Sequence, residues 1–188
     1  MIEIRPLTEF NSTILRKLIS GYTSSAVYQV TKSEDEKHTS ISMELKNLET
    51  PYVKQWNTTD DEINYYRKLI KEELSIGAYD GDKQVGLAIA EKNAWNRTLL
   101  VWEFHVHPDY HNKGVGRQMM EKLVNIGRET DCRVIVCETQ NTNVPAIRFY
   151  RKVGFEVGAI DLSYYTNSDM TNFEVAVFMK RYIEKRKL

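Results

Sequence analysis

The chain has 188 residues, with 26 Lys plus Arg set against 26 Asp plus Glu, a formal net charge of +0 and two cysteines. That balance supplies no overall field for nucleic acid or an anionic membrane, so any partner must be selected by local groups. Cys132 and Cys137 lie in one strand-like run at an odd separation, which points them to opposite faces and away from a mutual disulfide.

No apolar run is long enough to span a bilayer and no signal pattern follows Met1, so the chain reads as one cytoplasmic, reduced domain over 1–188. Met1 to Arg5 alternates as an edge strand does, Pro6 stops it, and Thr8 is placed to cap a helix carrying Phe10, Ile14, Leu15, Leu18 and Ile19. From Thr31 to Asp61 the chain is charged and rich in turn residues, which predicts a strand or two with long loops. Thr59 or Asp60 then caps a helix running through Leu74, with Ile63, Tyr66, Leu69 and Ile70 on one face. Ser75 to Tyr79, the Asp80-Gly81-Asp82 turn and Gln84 to Ala90 predict a hairpin. Leu99 to Val106 and Arg133 to Thr139 are strands separated by a helical pattern, a βαβ unit that implies a parallel pair. A helix from Asn143 to Val153, a strand from Phe155 to Ile160, a polar loop with Tyr164, Tyr165 and Asn167, a strand from Phe173 to Met179 and a solvated tail from Lys180 complete the chain.

Chemistry concentrates in two places. Tyr110-His111-Asn112-Lys113-Gly114-Val115-Gly116-Arg117 joins a strand to a helix, and such a glycine loop leaves backbone N–H groups at the positive end of the helix, where a pyrophosphate can approach closely. About thirty positions later come Asn143, Val144-Pro145-Ala146, Phe149-Tyr150 and Gly154-Phe155. Together these residues resemble the GNAT superfamily of N-acetyltransferases, whose loop reads Arg or Gln, two residues, Gly, any residue, Gly or Ala; here the first position is His111.

The resemblance implies a GNAT-like α/β (α+β) fold, a mixed and mostly antiparallel sheet with a central splayed parallel strand pair flanked by helices. It implies acetyl-CoA as co-substrate, held by Phe104, Val106, His111, Asn112, Lys113, Gly114, Val115, Gly116, Arg117, Asn143, Ala146 and Tyr150. Val106 maps to the position whose backbone N–H faces the thioester carbonyl, a contact of the kind typically worth ~3 kcal/mol. Tyr150 maps to the tyrosine that protonates the departing thiolate, a reasonable match because a phenol titrates near ~10 and a thiol near ~8.5. Its alternative is core packing. A lysine-like amine costs ~4 to 5 kcal/mol to neutralise at pH 7, so a base is needed, with Glu103 first and Glu138 second. Each of these has the alternative of a carboxylate paired to a neighbour. His105, His107 and His111 are assigned to packing and loop roles, and no metal is expected.

Within the superfamily the chain is most similar to the streptothricin acetyltransferases. The segments that carry this are Glu49 to Lys54, Lys92 to Arg97, Glu138-Thr139-Gln140, Asp161, and Tyr165 with Asn172 to Phe178. The resemblance implies acetylation of an amino group on the β-lysine arm of a cationic antibiotic, and so antibiotic resistance. Tyr52, Trp56, Asp60, Asp61, Trp95, Glu138, Tyr164 and Tyr165 suit a polycation by charge and by cation-π contact. Helix capping and core packing are the alternatives for these. Two other functions stay open: a protein or peptide acetyltransferase acting on an amino terminus or lysine, and a non-catalytic acyl-CoA-binding module. Neither nucleic acid nor membrane is expected as a partner, and a homodimer is compatible with the sequence.

Overall fold

The computed structural model describes residues 1–9 and 11–183, arranged as two compact units. Unit one comprises Met1–Ser20, Trp56–Cys137 and the chain from Arg181; unit two comprises Gly21–Gln55 and Glu138–Lys180.

Unit one holds strands β1 (Ile2–Pro6), β4 (Ile76–Asp80), β5 (Lys83–Asn93), β6 (Thr98–Val106) and the start of β7 (Val134–Gln140), in the order β1-β4-β5-β6-β7. The intervening β2 and β3 belong to unit two. All pairs are antiparallel except β6 with β7, which run parallel from Thr98↔Val134 to Val101↔Cys137. Opposite β5, the register slips between Ile89↔Glu103 and Ala90↔Val101, leaving Trp102 as the extra residue of a bulge. A bulge bends its strand and sharpens its twist, and this one falls one residue after the parallel ladder ends. It thereby sets Glu103 to Val106 on a redirected strand end.

Helices cover both faces of this sheet. Helix α1 (Ser12–Leu18) and helix α2 (Asp60–Leu69) bury Leu15, Leu18, Ile63, Tyr66 and Leu69 against Leu87 and Ile89 of β5. Helix α3 (Val115–Glu129) presses on the other face, with Met119, Met120 and Leu123 fully buried. A Cβ at Gly86 would stand 2.9 Å from the Met119 sulfur and 3.0 Å from the His105 carbonyl oxygen, so only glycine permits that approach.

Several expectations are corrected here. Helix α1 is capped by Asn11, whose Oδ1 accepts the Thr13 and Ile14 N–H groups, rather than by Thr8, and the expected contact of Phe10 lies outside the described residues. Helix α2 ends at Leu69 and tightens into a 3-10 turn at Ile70–Glu72, after which Glu73 adopts a left-handed conformation, so it does not reach Leu74.

The stretch from Thr31 to Asp61, expected to be a strand or two with long loops, is mostly strand, because in unit two β2 (Gly21–Glu34) and β3 (Thr39–Gln55) form a long antiparallel ribbon. Its outer stretch is solvated on both faces, so polar and charged residues there do not oppose strand formation. The rest of the unit is helix α4 (Val144–Lys152), strand β8 (Glu156–Asp161), a short helix α5 (Asp169–Asn172) within the expected polar loop, and strand β9 (Ala176–Tyr182), ordered β7-β9-β8. Strand β9 starts later than expected and continues through Lys180 to Tyr182, residues assigned by sequence to the tail. Among the described residues no helix is long and apolar enough to cross a membrane.

Candidate active site

The glycine loop lies between β6 and α3. Asn112 and Gly114 both have positive φ, 58° and 82°, which turn the chain into the helix. The first helical bond runs from Gln118 N–H to the Gly114 carbonyl, so the amides of Val115, Gly116 and Arg117 precede the ladder. No side chain caps this helix and no acidic residue sits in its first turn, so nothing there competes with an anion. A Cβ added to Gly114 would find only the Gln118 amide nitrogen, 3.9 Å away, so the glycine borders open space. Val115 is buried as the helix anchor, while Asn112, Lys113 and Arg117 are exposed, with the Lys113 ammonium 5.3 Å from the Tyr110 ring centroid. The residues fit a pyrophosphate bound mainly by backbone.

His111 does not point into this cradle. Its Nε2 lies 2.8 Å from the Val106 carbonyl oxygen and donates to it. The His107 N–H bonds to Val85 of β5 at 2.7 Å, and because strand amides alternate sides, the Val106 N–H is directed away from β5. Phe104 shares that orientation.

Strand alternation puts Glu103 and His105 on the face that α1 and α2 cover, opposite Ile89 and Leu87. The Tyr66 hydroxyl donates to Glu103 Oε1 at 2.5 Å, and His105 Nε2 meets Glu103 Oε2 at 2.7 Å. Trp56 lies edge-on to the His105 ring, with centroids 5.8 Å apart. Burial, reinforced by the Glu103 charge, raises the Tyr66 pKa, so this phenol stays protonated and remains a donor. His105 thus packs on Trp56, as expected of it, and also belongs to a Tyr66–Glu103–His105 network. His107 accepts the Asp109 N–H at 3.3 Å and closes the short turn after β6.

Unit two contains a tyrosine and carboxylate cluster. The Tyr52 hydroxyl donates to Glu174 Oε1 at 2.5 Å, and the Lys54 ammonium bonds both Glu174 oxygens at 2.8 and 2.7 Å. Tyr165 donates to Glu138 and accepts from the Gln140 amide at 3.0 Å. Tyr22 is bonded to Thr142, with its ring 6.1 Å from that of Tyr52. Tyr164 packs edge-on to Tyr165 and to Phe178. Burial, with help from Glu174, pushes the Tyr52 phenol up to about 12, and burial together with the Glu138 charge raises Tyr165 as well.

On α4, Asn143 is the N-cap and accepts the Ala146 N–H at 3.2 Å. Tyr150 is buried, with its ring 5.5 Å from Phe149 and 5.5 Å from Phe155.

Three further expected acceptor residues, Asp60, Asp61 and Trp95, lie in unit one. Asp60 pairs with Arg16 of α1 at 2.6 Å, and Asp61 sits on the first turn of a helix already closed by a Thr59–Glu62 capping box. Trp95 is 88% exposed in the turn before β6, whose first residue, Thr98, is itself roughly 16 Å along the strand from Glu103 at ~3.3 Å per residue. Sequence reasoning also missed Tyr66, Tyr22 and Glu174 as functional candidates. Tyr66 carries the period of a core helix residue, and only its hydroxyl distinguishes it from one.

The sequence profile described as "Acetyltransferase (GNAT) family" matches residues 42–155. Streptothricin acetyltransferase A of Bacillus subtilis (strain 168) is 30% identical over 128 residues, 68% of this chain and 72% of that protein. The crystal structure of a nourseothricin acetyltransferase superposes with a TM-score of 0.76 at 25% identity, covering 97% of this chain and 99% of that one. A Bacillus anthracis protein described as a candidate streptothricin acetyltransferase, solved with acetyl coenzyme A, has the same fold, with a TM-score of 0.73 at 23% identity over 98% of each chain. With the family profile spanning more than half of its length, the chain belongs to the GNAT family and is an acetyl-CoA-dependent N-acetyltransferase.

Proposed function

We propose that the acceptor is a small polycation, the β-lysine amino group of streptothricin, and that the enzyme confers resistance to that antibiotic as one domain spanning 1–188. The observation that carries this is the cluster in unit two, where Tyr165 donates to Glu138, Tyr52 and Lys54 hold Glu174, and Tyr22 and Tyr164 pack against Tyr52 and Tyr165, which leaves Glu138 as the carboxylate this reading assigns to the acceptor. Carboxylates framed by aromatic faces suit an alkylammonium arm. The similarity to the Bacillus subtilis enzyme supports the same choice. Two buried cysteines that form no disulfide fit a cytoplasmic setting.

Acetyl-CoA supplies an acetyl group activated as a thioester. The amides from Asn112 to Arg117 hold its pyrophosphate, with Lys113 and Arg117 adding charge, and the Val106 N–H stabilises the oxyanion that forms at the thioester carbonyl. Asn143 and Ala146 fix the start of the helix that carries Tyr150. Glu103 supplies the negative charge that draws one proton off the acceptor ammonium. The neutral amine attacks, the C–S bond breaks, and Tyr150 gives its proton to the thiolate and recovers one from the new amide nitrogen. Each turnover therefore releases one proton to solvent.

Acetyl-CoA consumption measured against streptothricin, aminoglycosides, polyamines and peptide amines should give the highest kcat/KM with streptothricin. Preference for a peptide amine would assign a protein substrate instead, and acetyl-CoA binding without turnover on any amine would assign a binding module. Replacing Glu138 with Gln is expected to raise the acceptor KM about fivefold, the equivalent of ~1 kcal/mol for a partly exposed charge contact, and to weaken its dependence on salt. The KM for acetyl-CoA should not move. An unchanged acceptor KM at low salt would remove Glu138 from recognition.

A further inference from the structure

Glu103 links Tyr66 of α2 to His105 of its own strand. Both Glu103 oxygens are engaged, Oε1 by the Tyr66 hydroxyl at 2.5 Å and Oε2 by His105 Nε2 at 2.7 Å. An ionised carboxylate only accepts, so Nε2 must carry the hydrogen, which leaves the lone pair of the neutral ring on Nδ1. His105 also directly precedes Val106 and is half-buried, with its side chain 15% exposed. Its ring is fixed by Glu103 on one side and by the edge contact with Trp56 on the other. The ionisable groups bonded into this network are Glu103 on its own strand and Tyr66 on α2, with the charge of Glu62 also acting on Tyr66. Glu62 on α2 is committed to the Thr59 cap, Arg16 of α1 is turned to Thr58 and Asp60, and β5 presents apolar Leu87 directly opposite.

We propose that His105 is the general base of the transfer, with Glu103 orienting it and stabilising its imidazolium. His105 Nδ1 forms a bond to one proton of the acceptor ammonium as the N–H bond of the amine breaks, while Nε2–H stays on Glu103. The imidazolium then returns that proton to solvent. An imidazole titrates between pH 5 and 8, closer to an amine than a carboxylate is, and this makes it the more effective acceptor at neutral pH. Tyr66 holds the far oxygen of Glu103, so the carboxylate cannot rotate away from the ring. The proposal rests on the reading that this network serves the acceptor amine.

The test compares His105→Gln and Glu103→Gln in the full-length enzyme, with kcat/KM followed across pH for streptothricin and for the best amine of the panel, and acetyl-CoA affinity measured by calorimetry. His105→Gln should lose about 10²-fold at pH 7, with the deficit narrowing as pH rises and the acceptor ionises unaided. Acetyl-CoA affinity should stay at the parental value. His105→Ala should regain rate with added imidazole, a rescue that a purely structural role would not give. Glu103→Gln should cost less and move the acid limb of the profile to lower pH, because the imidazolium loses its counter-charge. A parental profile for His105→Gln alongside a 10²-fold loss in Glu103→Gln would overturn the proposal while leaving Glu103 as the base. A loss in His105→Gln that is constant with pH and not rescued by imidazole would also overturn it, reducing His105 to packing. Parental rates in both variants would overturn it together with the assignment of the base to this network.

Discussion

Tyr150→Phe is expected to lower kcat by ~10²-fold or more while leaving acetyl-CoA affinity nearly unchanged, the scale associated with losing a positioned general acid. The substitution removes one oxygen and keeps the ring. That ring packs 5.5 Å from both Phe149 and Phe155, and the Tyr150 carbonyl accepts the Val153 and Phe155 N–H groups that end α4, so the helix should keep its form. A variant with parental melting temperature and parental coenzyme affinity but a collapsed kcat would isolate the proton transfer. An unchanged kcat with a good acceptor would mean that solvent protonates the thiolate and that Tyr150 belongs to the core alone.

Substitution of Gly114 should have the largest effect on the coenzyme. At φ 82° a side chain is strained by ~1 to 2 kcal/mol, and its Cβ would stand in the open space where the pyrophosphate must approach the backbone. Gly114→Ala should weaken acetyl-CoA binding tenfold or more by calorimetry, and Gly114→Val further. His111→Ala should do less to affinity, because its Nε2 is spent on the Val106 carbonyl at 2.8 Å rather than on phosphate. Its effect should fall on kcat, through a looser Val106 N–H. If His111→Ala proved more damaging to affinity than Gly114→Ala, the imidazole would be the phosphate ligand and the backbone account would be wrong.

Much of unit one was legible in the sequence because its elements obey local rules. The Asp80-Gly81-Asp82 turn needs positive φ at Gly81, which glycine supplies, and β4 and β5 follow on either side. The strand, glycine loop and amphipathic helix from Thr98 to Glu129 read directly from their periods of two and 3.6, as did the Asn143 cap of α4. The β2–β3 ribbon did not, because its outer stretch is solvated on both faces and shows no apolar alternation there. The cap of α1 was misplaced because Asn11 and Thr8 are both competent caps and only the geometry distinguishes them. Among the candidate residues, Val106 and Tyr150 are assigned by the family positions they match and Glu103 by its place on the strand before the glycine loop. What escaped was tertiary: Tyr66 meets Glu103 across thirty-seven positions of sequence, and Glu174 meets Tyr52 across 122. Acidic residues beside a helix start, such as Asp60, invite a ligand reading, and the sequence does not show that an arginine on another helix pairs with it.

The central claim is transfer of acetyl from acetyl-CoA to the amine of a small polycation, and the most direct test is to identify the acetylated atom. Streptothricin incubated with the enzyme and acetyl-CoA should yield one product carrying a single added acetyl group, located by NMR on an amino group of the β-lysine arm, with one thiol released per acetyl group gained. Recovery of unmodified streptothricin while a peptide or protein amine in the same mixture becomes acetylated would contradict the account.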